Sequence, residues 1–379
     1  MDDVVKTKTV MLVVADIGYF MSHRLAFALA LKNAGFRLVV ATTFSSPVES
    51  QKLSAYGFEV FDLRLRAKGV AFLGNLKLVW RLWRGFIKLR PDYVHVVSVR
   101  MVLLGLIAFR FSRAKQFIGL LAGMGYLFTS RSRLTRFLKS ITFSLLRLLC
   151  LSSKVRLIVQ NDDDYNTLAN RLIEKSRLFL IKGSGVSLSD YAYLPEPKAP
   201  PVVVSCISRM LKDKGIVELC EAARILYQKG RSDIHIQLVG DIHEVNPNSL
   251  SRQALLNFCE ELPNLFWLGR RNDVAHIYSN SHIAVLPSYR EGLPKTLLEA
   301  AACGRAIVST DVPGCREICH DGENGYLVPS KNSVALAAAI ESLADGSEIR
   351  QKFGRASRHM VEALFSDEIV IAQIMRLYA

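Results

Sequence analysis

The chain has 379 residues, half of them hydrophobic, and a formal net charge of +15. This length favours about two domains, each able to bury its own core. The seven cysteines are scattered without CxxC pairs, so the sequence indicates neither a disulfide framework nor a zinc site and is typical of reduced, buried thiols.

The positive charge is concentrated in the first half of the chain. Residues 1–190 contain 29 Lys and Arg against 12 Asp and Glu, whereas residues 191–379 contain 20 against 22. Between Arg64 and Arg156 there are 19 basic residues and one acid, Asp92. Such a field indicates a polyanionic partner, either nucleic acid or an anionic membrane surface.

The sequence offers no signal for secretion or membrane insertion. Its start, MDDVVKTKT, lacks the basic region and apolar core of a signal peptide. No uninterrupted apolar run approaches the ~20 residues that a spanning helix needs, since arginines bound the run from Met101 to Phe109. We therefore expect a cytoplasmic protein that is peripheral on the inner face of the cell membrane.

The first half opens with a β-loop-α-β pattern. Residues 9–15 (TVMLVVA) predict a buried strand, a helical pattern follows as far as Gly35, and RLVVAT predicts the next strand. Gly18, in the predicted loop, would let the backbone approach a phosphate or an acceptor closely. Because there is no GxGxxG motif, a dinucleotide site is disfavoured.

Two amphipathic helices are predicted within the basic region. Residues 74–90 place basic side chains on one face and apolar side chains on the other. The two sets are Lys77, Arg81, Arg84 and Lys88, and Leu76, Val79, Trp80, Trp83 and Ile87. Residues 131–156 give a second such helix, flanked by Arg133, Arg136 and Lys139. These helices favour a membrane-facing surface, with core packing and a solvated basic face as the alternative.

The second half restarts after the proline-containing linker YLPEPKAPP. The segment VVVSCISRMLKDKGI predicts a strand followed by Arg209 and Lys214 at the entry of a helix. Further short strands alternate with helical patterns, so this half is also parallel α/β. Gly240, Gly269 and Arg270 fall at strand ends, where ligands bind in such sheets.

Residues 282–304, HIAVLPSYREGLPKTLLEAAACG, combine a buried strand, a polar loop and the start of a helix. Pro294 is predicted at the first helical position. The amides of Lys295, Thr296 and Leu297 would then point outward, and the helix dipole would favour an anion there.

Two glutamates flank this predicted anion site. Glu291 lies in the loop, and Glu299 lies about one turn inside the helix, where its two oxygens could accept a pair of vicinal hydroxyls. Sites for a phosphate, a sugar and the hydroxyls of a ribose would therefore lie next to one another, and these are the parts of one nucleotide-sugar. An ordinary capped helix with two solvated glutamates is the alternative from spacing alone.

The run PS-x-x-EG-x-P-x-x-x-x-EA resembles the signature of the retaining glycosyltransferases of family 4, two glutamates separated by seven residues. The resemblance extends over roughly residues 9–330. GMGYLFTS (123–130) is similar to the Gly-rich segment of members that act on polyprenyl-linked sugars, and GSGV is similar to the interdomain segment. The chain departs from the family pattern at Val97, which replaces the second histidine after His95, and no histidine lies in the Gly-rich segment.

The resemblance implies an α/β fold of the GT-B type, with two Rossmann-like parallel domains and an interdomain cleft. It implies a membrane-facing, acceptor-binding domain over residues 1–190 and a nucleotide-sugar-binding domain over residues 191–365. Residues 366–379 would form a C-terminal helix that packs back on the first domain.

The resemblance also implies residue roles. Arg209 and Lys214 match the pair that grips the nucleotide diphosphate, and Glu291 would bind the donor sugar and steady the transition state. These three are the predicted catalytic residues. The predicted donor-binding residues are Gly18, Gly240, Arg270, Gly292, Leu293, Pro294, Lys295, Thr296, Leu297 and Glu299. No metal and no cofactor are expected, since no DxD triplet has a plausible strand context.

We therefore predict a retaining, metal-independent hexosyltransferase or N-acetylhexosaminyltransferase of bacterial surface polysaccharide assembly. Its partners would be a nucleotide-sugar donor, UDP-HexNAc or UDP-hexose, an undecaprenyl-diphosphate-linked saccharide acceptor and an anionic membrane surface, with no nucleic acid. One alternative is a GT-B nucleotide-sugar epimerase, which needs acid and base residues that the sequence does not offer. The other is a nucleic-acid-binding protein, which explains the charge but not the EG-x-P helix.

Overall fold

The computed structural model describes residues 7–65, 72–122, 133–169, 171–243 and 246–378. The chain divides into two compact units, the first formed by Met1–Ser184 with Ile371–Ala379 and the second by Gly185–Val370. Each unit is built on a parallel sheet with helices, which confirms the predicted α/β fold with two parallel-sheet domains. The predicted Gly-rich motif at 123–130 lies outside the described residues.

The first unit contains a seven-stranded sheet in the order β3-β2-β1-β4-β5-β6-β7. Its strands are β1 (Thr9–Asp16), β2 (Arg37–Thr43), β3 (Glu59–Asp62), β4 (Tyr93–Val97), β5 (Gln116–Leu120), β6 (Val155–Val159) and β7 (Leu178–Leu180). Its helices are α1 (Ile17–His23), α2 (Leu25–Asn33), α3 (Pro47–Ala55), α4 (Phe72–Leu89), α5 (Val99–Arg110), α6 (Arg133–Leu149) and α7 (Asp162–Leu168). The central strand β4 is buried along its length and β1 along its first six residues, as expected where helices cover a parallel sheet.

The second unit contains a six-stranded sheet in the order β10-β9-β8-β11-β12-β13. Its strands are β8 (Val202–Ile207), β9 (Ile234–Val239), β10 (Leu265–Trp267), β11 (Ile283–Leu286), β12 (Ala306–Thr310) and β13 (Gly325–Val328). The helices that follow are α8 (Ile216–Gln228), α9 (Arg252–Glu261), α10 (Val274–Ser279), α11 (Lys295–Ala302), α12 (Ser333–Asp345) and α13 (Ser347–Leu364). The last helix, α14 (Asp367–Met375), begins in the second unit and ends in the first.

Both sheets reverse their strand order once. The chain builds β1, β2 and β3 outward on one side and then returns to place β4 against β1, and β8 to β11 repeat this pattern. Ligands of open parallel α/β sheets bind beyond the carboxyl ends of the strands at such a switch point. In the second unit, that point lies between β8 and β11.

The C-terminal residues 371–378 belong to the first unit, where Ile374, Leu377 and Tyr378 are buried. The ring of His95, in β4, is fully buried, and its Nδ1 lies 2.6 Å from the hydroxyl of Tyr378. Arg156 donates a hydrogen bond of 2.8 Å to the carbonyl oxygen of Leu377. Burial lowers the pKa of His95 to about 3, so this histidine is neutral and packs in the interior.

The division between the units falls after Ser184, earlier than the predicted boundary after residue 190. Val186 forms a parallel bridge with Ser366, and the hydroxyl of Tyr191 donates to Glu299. These contacts hold the segment that begins at Gly185 against the second unit.

The helix α4 packs on the core through three residues that belong to neither of the two predicted sets. Leu78, Leu82 and Phe86 are buried in the core of the first unit. Leu76 and Trp80, predicted on the apolar face, are each 51% exposed. The helix contains two apolar stripes, and the one that packs on the sheet leaves the other on the outer surface beside the basic residues.

Three of the four predicted cations of α4 lie on this outer surface. Lys77, Arg84 and Lys88 are exposed. Arg81 is half-buried instead and donates a hydrogen bond of 3.0 Å to the carbonyl oxygen of Leu63. Arg81 therefore contributes to the packing of α4 rather than to a free basic face.

The second basic helix, α6, also has an exposed apolar side. Ile141 and Leu148 are 48% and 64% exposed, whereas Leu146 is buried. The side chains of Arg133, Arg136 and Lys139 lie outside the described residues. In the part of the chain that the structure describes, no helix is long and apolar enough to cross a membrane.

Candidate active site at the carboxyl ends of the second sheet

Two loops meet at the switch point of the second sheet. Residues 208–215 follow β8 and residues 287–294 follow β11, which is the neighbouring strand. The amide of Tyr289 donates a hydrogen bond of 2.9 Å to the carbonyl oxygen of Asp213 and so joins the loops. This junction unites the two sequence motifs that lie about 80 residues apart in the chain.

Gly215 permits the close approach of these loops. Its φ is +70°, and a Cβ added there would lie 2.0 Å from the carbonyl oxygen of Pro287. Such a contact cannot form without displacing backbone, so another residue would push the loops apart. The glycine therefore fixes where its neighbour Lys214 stands relative to the loop after β11.

Lys214 and Glu291 form an ion pair at this junction. The Nζ of Lys214 donates to Oε1 of Glu291, and the hydroxyl of Ser288 donates to the same oxygen at 2.7 Å. The two charged side chains are 18% and 12% exposed, so water screens the pair weakly. An ammonium group has three donors, which lets Lys214 hold Glu291 and still bind a phosphate oxygen.

The start of α11 differs from the prediction by one residue. The helix begins at Lys295, and Pro294 is its N-cap, with φ −75° and ψ 110°. The carbonyl oxygen of Pro294 accepts a hydrogen bond of 3.1 Å from the amide of Leu297. The prediction that the Leu297 amide points outward is wrong, and the amides of Lys295 and Thr296 remain the candidates for an anion.

Glu299 is buried within α11, with 8% of its surface exposed. Its Oε1 accepts a hydrogen bond of 2.9 Å from the hydroxyl of Tyr191, and the Nζ of Lys295 lies 4.0 Å from the same oxygen. Burial raises the pKa of Glu299, while Lys295 and the Tyr191 hydrogen bond oppose that rise. Since Glu291 is also largely buried, the alternative of two solvated glutamates is wrong.

Three further predicted residues follow neighbouring strands. Arg209 comes after β8, Gly240 after β9 and Arg270 after β10. Gly240 has φ +140°, and a Cβ there would lie 1.8 Å from the carbonyl oxygen of Ser208, so the two loops touch. The side chains of Arg209 and Arg270 are exposed, and neither pairs with a residue that the structure describes. Two guanidinium groups thus stand at the same edge of the sheet as Lys214.

The remaining predicted residues lie in two places. Gly292 and Leu293 are half-buried in the loop between Glu291 and α11. Gly18 belongs to the first unit and is the second residue of α1, so its predicted place in a loop is wrong. The reason is Asp16, whose side chain accepts a 2.8 Å hydrogen bond from the amide of Tyr19 and starts the helix directly after β1.

Sequence reasoning misses two side chains that contact the predicted glutamates. Ser288 lies three residues before Glu291, and the serine of the PS-x-x-EG run is a signal that could have identified it. Tyr191 lies 108 residues from Glu299 in sequence, and no local pattern connects the two.

A separate cavity of about 410 Å³ lies elsewhere in the second unit. Tyr193, Glu196, Gly304 and Arg350 are among its lining residues. Gly304 precedes β12, so the cavity is at the amino end of that strand, whereas Lys214 and Glu291 follow the carboxyl ends of theirs. The cavity is therefore not part of the candidate active site.

Residues 194–360 match the family described as "Glycosyl transferases group 1". This range contains every predicted site residue except Gly18, so the junction of Lys214 and Glu291 lies in a group 1 glycosyl transferase domain. The protein is a glycosyltransferase, as the sequence predicts.

Among the proteins that match most of the chain are two relatives and one solved structure. It is 26% identical over 343 residues to the N,N'-diacetylbacillosaminyl-diphospho-undecaprenol alpha-1,3-N-acetylgalactosaminyltransferase of Campylobacter jejuni, covering 87% of this chain and 88% of the relative. It is 22% identical to the UDP-Gal:alpha-D-GlcNAc-diphosphoundecaprenol alpha-1,3-galactosyltransferase of Escherichia coli, covering 78% of each. The sucrose-phosphate synthase of Thermosynechococcus elongatus superposes with a TM-score of 0.82, covering 98% of both chains at 19% identity, which supports the GT-B fold.

Proposed function

We propose that this glycosyltransferase moves a sugar from a UDP-linked donor to an undecaprenyl-diphosphate-linked saccharide. The observation that carries the proposal is the contact between Lys214 and Glu291 at the switch point. It joins a cation suited to the diphosphate with a carboxylate suited to the donor sugar. The diphosphate side of the sugar–phosphate bond that breaks would therefore contact Lys214, and the sugar side would contact Glu291.

The donor is a UDP-hexose or UDP-N-acetylhexosamine. The names of the two relatives support this, one stating UDP-Gal and the other the transfer of N-acetylgalactosamine. Within this chain, the buried carboxylate of Glu299 offers oxygens for the vicinal hydroxyls of the ribose. No cofactor is needed beyond the donor itself.

The chemistry depends on stabilising the departing nucleoside diphosphate. Arg209 offers a planar fork that binds two phosphate oxygens, Lys214 offers a point charge, and the first amides of α11 offer a dipole. Fixed positive groups of this kind stabilise charge as it develops in the transition state. They supply the charge that a metal ion would otherwise supply, so we propose a metal-independent reaction.

The transfer retains the configuration of the anomeric carbon. The acceptor attacks from the face that the diphosphate leaves, and the leaving phosphate oxygen takes the acceptor proton. Oε1 of Glu291 accepts from both Lys214 and Ser288, which suits this carboxylate to hold the donor sugar rather than to attack it. The cationic transition state then lies beside a fixed negative charge.

The acceptor brings the protein to the inner face of the cell membrane. Both relatives named above act on diphospho-undecaprenol-linked sugars according to their names. The outer surface of α4 carries exposed Lys77, Arg84 and Lys88 beside Leu76 and Trp80. Cations near an anionic membrane contribute about 1 kcal/mol each, and the apolar side chains add to this attraction.

A donor screen with membrane extract tests the proposal. The protein is incubated with radiolabelled UDP-hexoses and UDP-N-acetylhexosamines, and label is followed into the lipid fraction with and without EDTA. We expect EDTA-insensitive transfer from one UDP-sugar and an α-linked product from an α-linked donor. Label that stays in an epimerised nucleotide-sugar, or salt-sensitive RNA binding without uridine-nucleotide binding, would instead establish one of the two alternatives.

A further inference from the structure

Glu299 and Tyr191 make a contact that the proposed roles do not yet explain. The hydroxyl of Tyr191 donates to Oε1 of Glu299 at 2.9 Å, within the second unit. A buried carboxylate accepts here from a side chain far away in sequence. A buried carboxylate without such a partner would be costly and free to rotate.

Tyr191 is itself held firmly. Its carbonyl oxygen accepts a 2.9 Å hydrogen bond from Arg358, and its amide donates a 3.1 Å hydrogen bond to the carbonyl oxygen of Ser187. The same guanidinium nitrogen of Arg358 also donates to the carbonyl oxygen of Ala302, at the end of α11. The backbone that carries the Tyr191 hydroxyl is therefore fastened to the helix that carries Glu299.

We propose that Tyr191 is a positioning residue for nucleotide binding. By donating to Oε1, it fixes the carboxylate plane of Glu299 so that the lone pairs left over face the two ribose hydroxyls. A carboxylate has about four lone-pair sites, so one hydrogen bond from Tyr191 leaves enough for a bidentate contact with a diol. This inference rests on the proposed function, because it requires Glu299 to bind the ribose.

The charged and titratable groups around Glu299 set how this contact depends on pH. Lys295 lies one turn earlier on the same helix, Tyr191 approaches from the preceding segment, Tyr278 from α10, and Cys303 from the end of α11. Burial raises the pKa of Glu299, and the Tyr191 hydrogen bond lowers it. Loss of the hydroxyl should therefore raise the pKa of Glu299 further. The binding of a diol should then begin to weaken at a higher pH than it does in the unaltered protein.

The test is Tyr191→Phe, which keeps the ring and its packing and removes the hydroxyl. Calorimetric titrations use UDP and 2′-deoxyuridine 5′-diphosphate as probes across a range of pH. We expect UDP to bind about tenfold more weakly, as for the loss of one hydrogen bond to a charged group. The preference for UDP over the 2′-deoxy probe should shrink, and the pH at which UDP affinity falls should move upward. In turnover, KM for the donor should rise while kcat stays within about threefold.

Tyr193→Phe is the matched control. It removes a hydroxyl from a tyrosine that lies two residues after Tyr191 and is 43% exposed. It should bind both probes as the unaltered protein does. Unchanged UDP affinity and pH dependence in Tyr191→Phe, with an intact thermal transition, would show that the tyrosine only packs. Tighter UDP binding would show that its hydroxyl occupies the place of the ribose, and either result overturns the positioning role. If the unaltered chain binds no nucleoside diphosphate, the proposed function fails first, and the role of Tyr191 fails with it.

Discussion

Lys214 and Arg209 are the single residues on which turnover should depend most. Lys214→Ala and Arg209→Ala each remove a cation from the leaving diphosphate, and the loss of one transition-state donor costs about 3 kcal/mol. We expect kcat to fall at least ~100-fold in each variant, measured as initial rates at saturating donor. Lys212→Ala, which removes an exposed cation from the same loop, should leave kcat unchanged. Near-normal turnover in both site variants would remove these residues from the site.

Glu299 should affect donor affinity rather than chemistry. Glu299→Gln keeps the size of the side chain but removes the charge that accepts two hydroxyls. We expect UDP affinity to fall at least tenfold, roughly the cost of one charge-assisted hydrogen bond, while kcat changes little. A collapse of kcat with intact UDP affinity would mean that the roles of Glu299 and Glu291 are exchanged.

The pH dependence of UDP binding follows from the same side chain. Burial raises the pKa of Glu299, so its carboxylate takes up a proton at a higher pH than an ordinary glutamate does. The ionised form binds the hydroxyls, and UDP affinity should therefore be complete above this raised pKa and fall as the pH drops through it. Calorimetry from pH 8 downward measures the midpoint, and Glu299→Gln should abolish this part of the pH dependence.

The sequence predicts which residues the fold gathers in the candidate site, but it does not predict their contacts. The spacing of Glu291 and Glu299 and the RMLKDKG segment select side chains that the fold does collect at one edge of the sheet. The pairing of Lys214 with Glu291 depends on which strands become neighbours, and a local pattern does not contain that information. The same holds for Tyr191, whose contact with Glu299 spans 108 residues.

At the level of elements, the junction between the loops after β8 and β11 is the part that a small change should disrupt. Gly215→Ala would place a Cβ 2.0 Å from the carbonyl oxygen of Pro287, at a φ of +70°. Gly230→Ala, at a φ of +79°, is the matched control because a Cβ there would meet nothing within 4 Å. The two variants share the backbone strain, and Gly215→Ala adds the clash.

We expect Gly230→Ala to cost about 1 kcal/mol of the free energy of unfolding and to leave UDP affinity unchanged. Gly215→Ala should cost at least twice as much and weaken UDP binding, because the loops separate and Lys214 moves away from Glu291. Chemical denaturation and calorimetry measure the two effects. Equal stability and equal UDP affinity in the two variants would show that the close approach is unimportant.

The helix α4 shows how far the structure of an element can be predicted from its sequence. Its periodicity correctly predicts a helix with apolar and basic stripes, and the observed element spans Phe72–Leu89. An 18-residue helix with two apolar stripes leaves open which stripe meets the sheet. Leu78, Leu82 and Phe86 are the residues that pack in the core. Trp80 stays on the outer surface, where the guanidinium of Arg84 lies 4.8 Å from the centre of its ring. The start of α11 differs by one residue for a similarly local reason, the extended ψ of Pro294.

At the level of the whole molecule, the charge is divided as the proposed function requires. Residues 191–379, which include nearly all of the candidate active site, carry almost balanced charge, whereas residues 1–190 carry a large positive excess. A nucleotide site needs only a few fixed cations, while attraction to an anionic surface needs many. Under the proposed function, the two tasks belong to different parts of the sequence, and we expect that each can be altered without the other.

Replacement of Lys77, Arg84 and Lys88 by Glu uses this separation. All three side chains are exposed on α4, and the triple change reverses the charge beside Leu76 and Trp80. Since each cation contributes about 1 kcal/mol against anionic lipid, the variant should no longer float with vesicles rich in anionic lipid. Its transfer to a polyprenyl-linked acceptor should fall, while UDP affinity should stay the same.

A lower net charge would by itself weaken membrane binding, so the control variant must lower the net charge by the same amount at another place on the protein. Lys198, Lys352 and Arg355 are exposed in the second unit, and their replacement by Glu gives the same net charge as the α4 variant. If α4 is the surface that contacts the membrane, this control should still float and transfer sugar, since attraction falls off within about 10 Å at moderate salt. Loss of flotation in both variants would show that net charge alone explains the membrane binding. Flotation of both variants would show that α4 does not face the membrane.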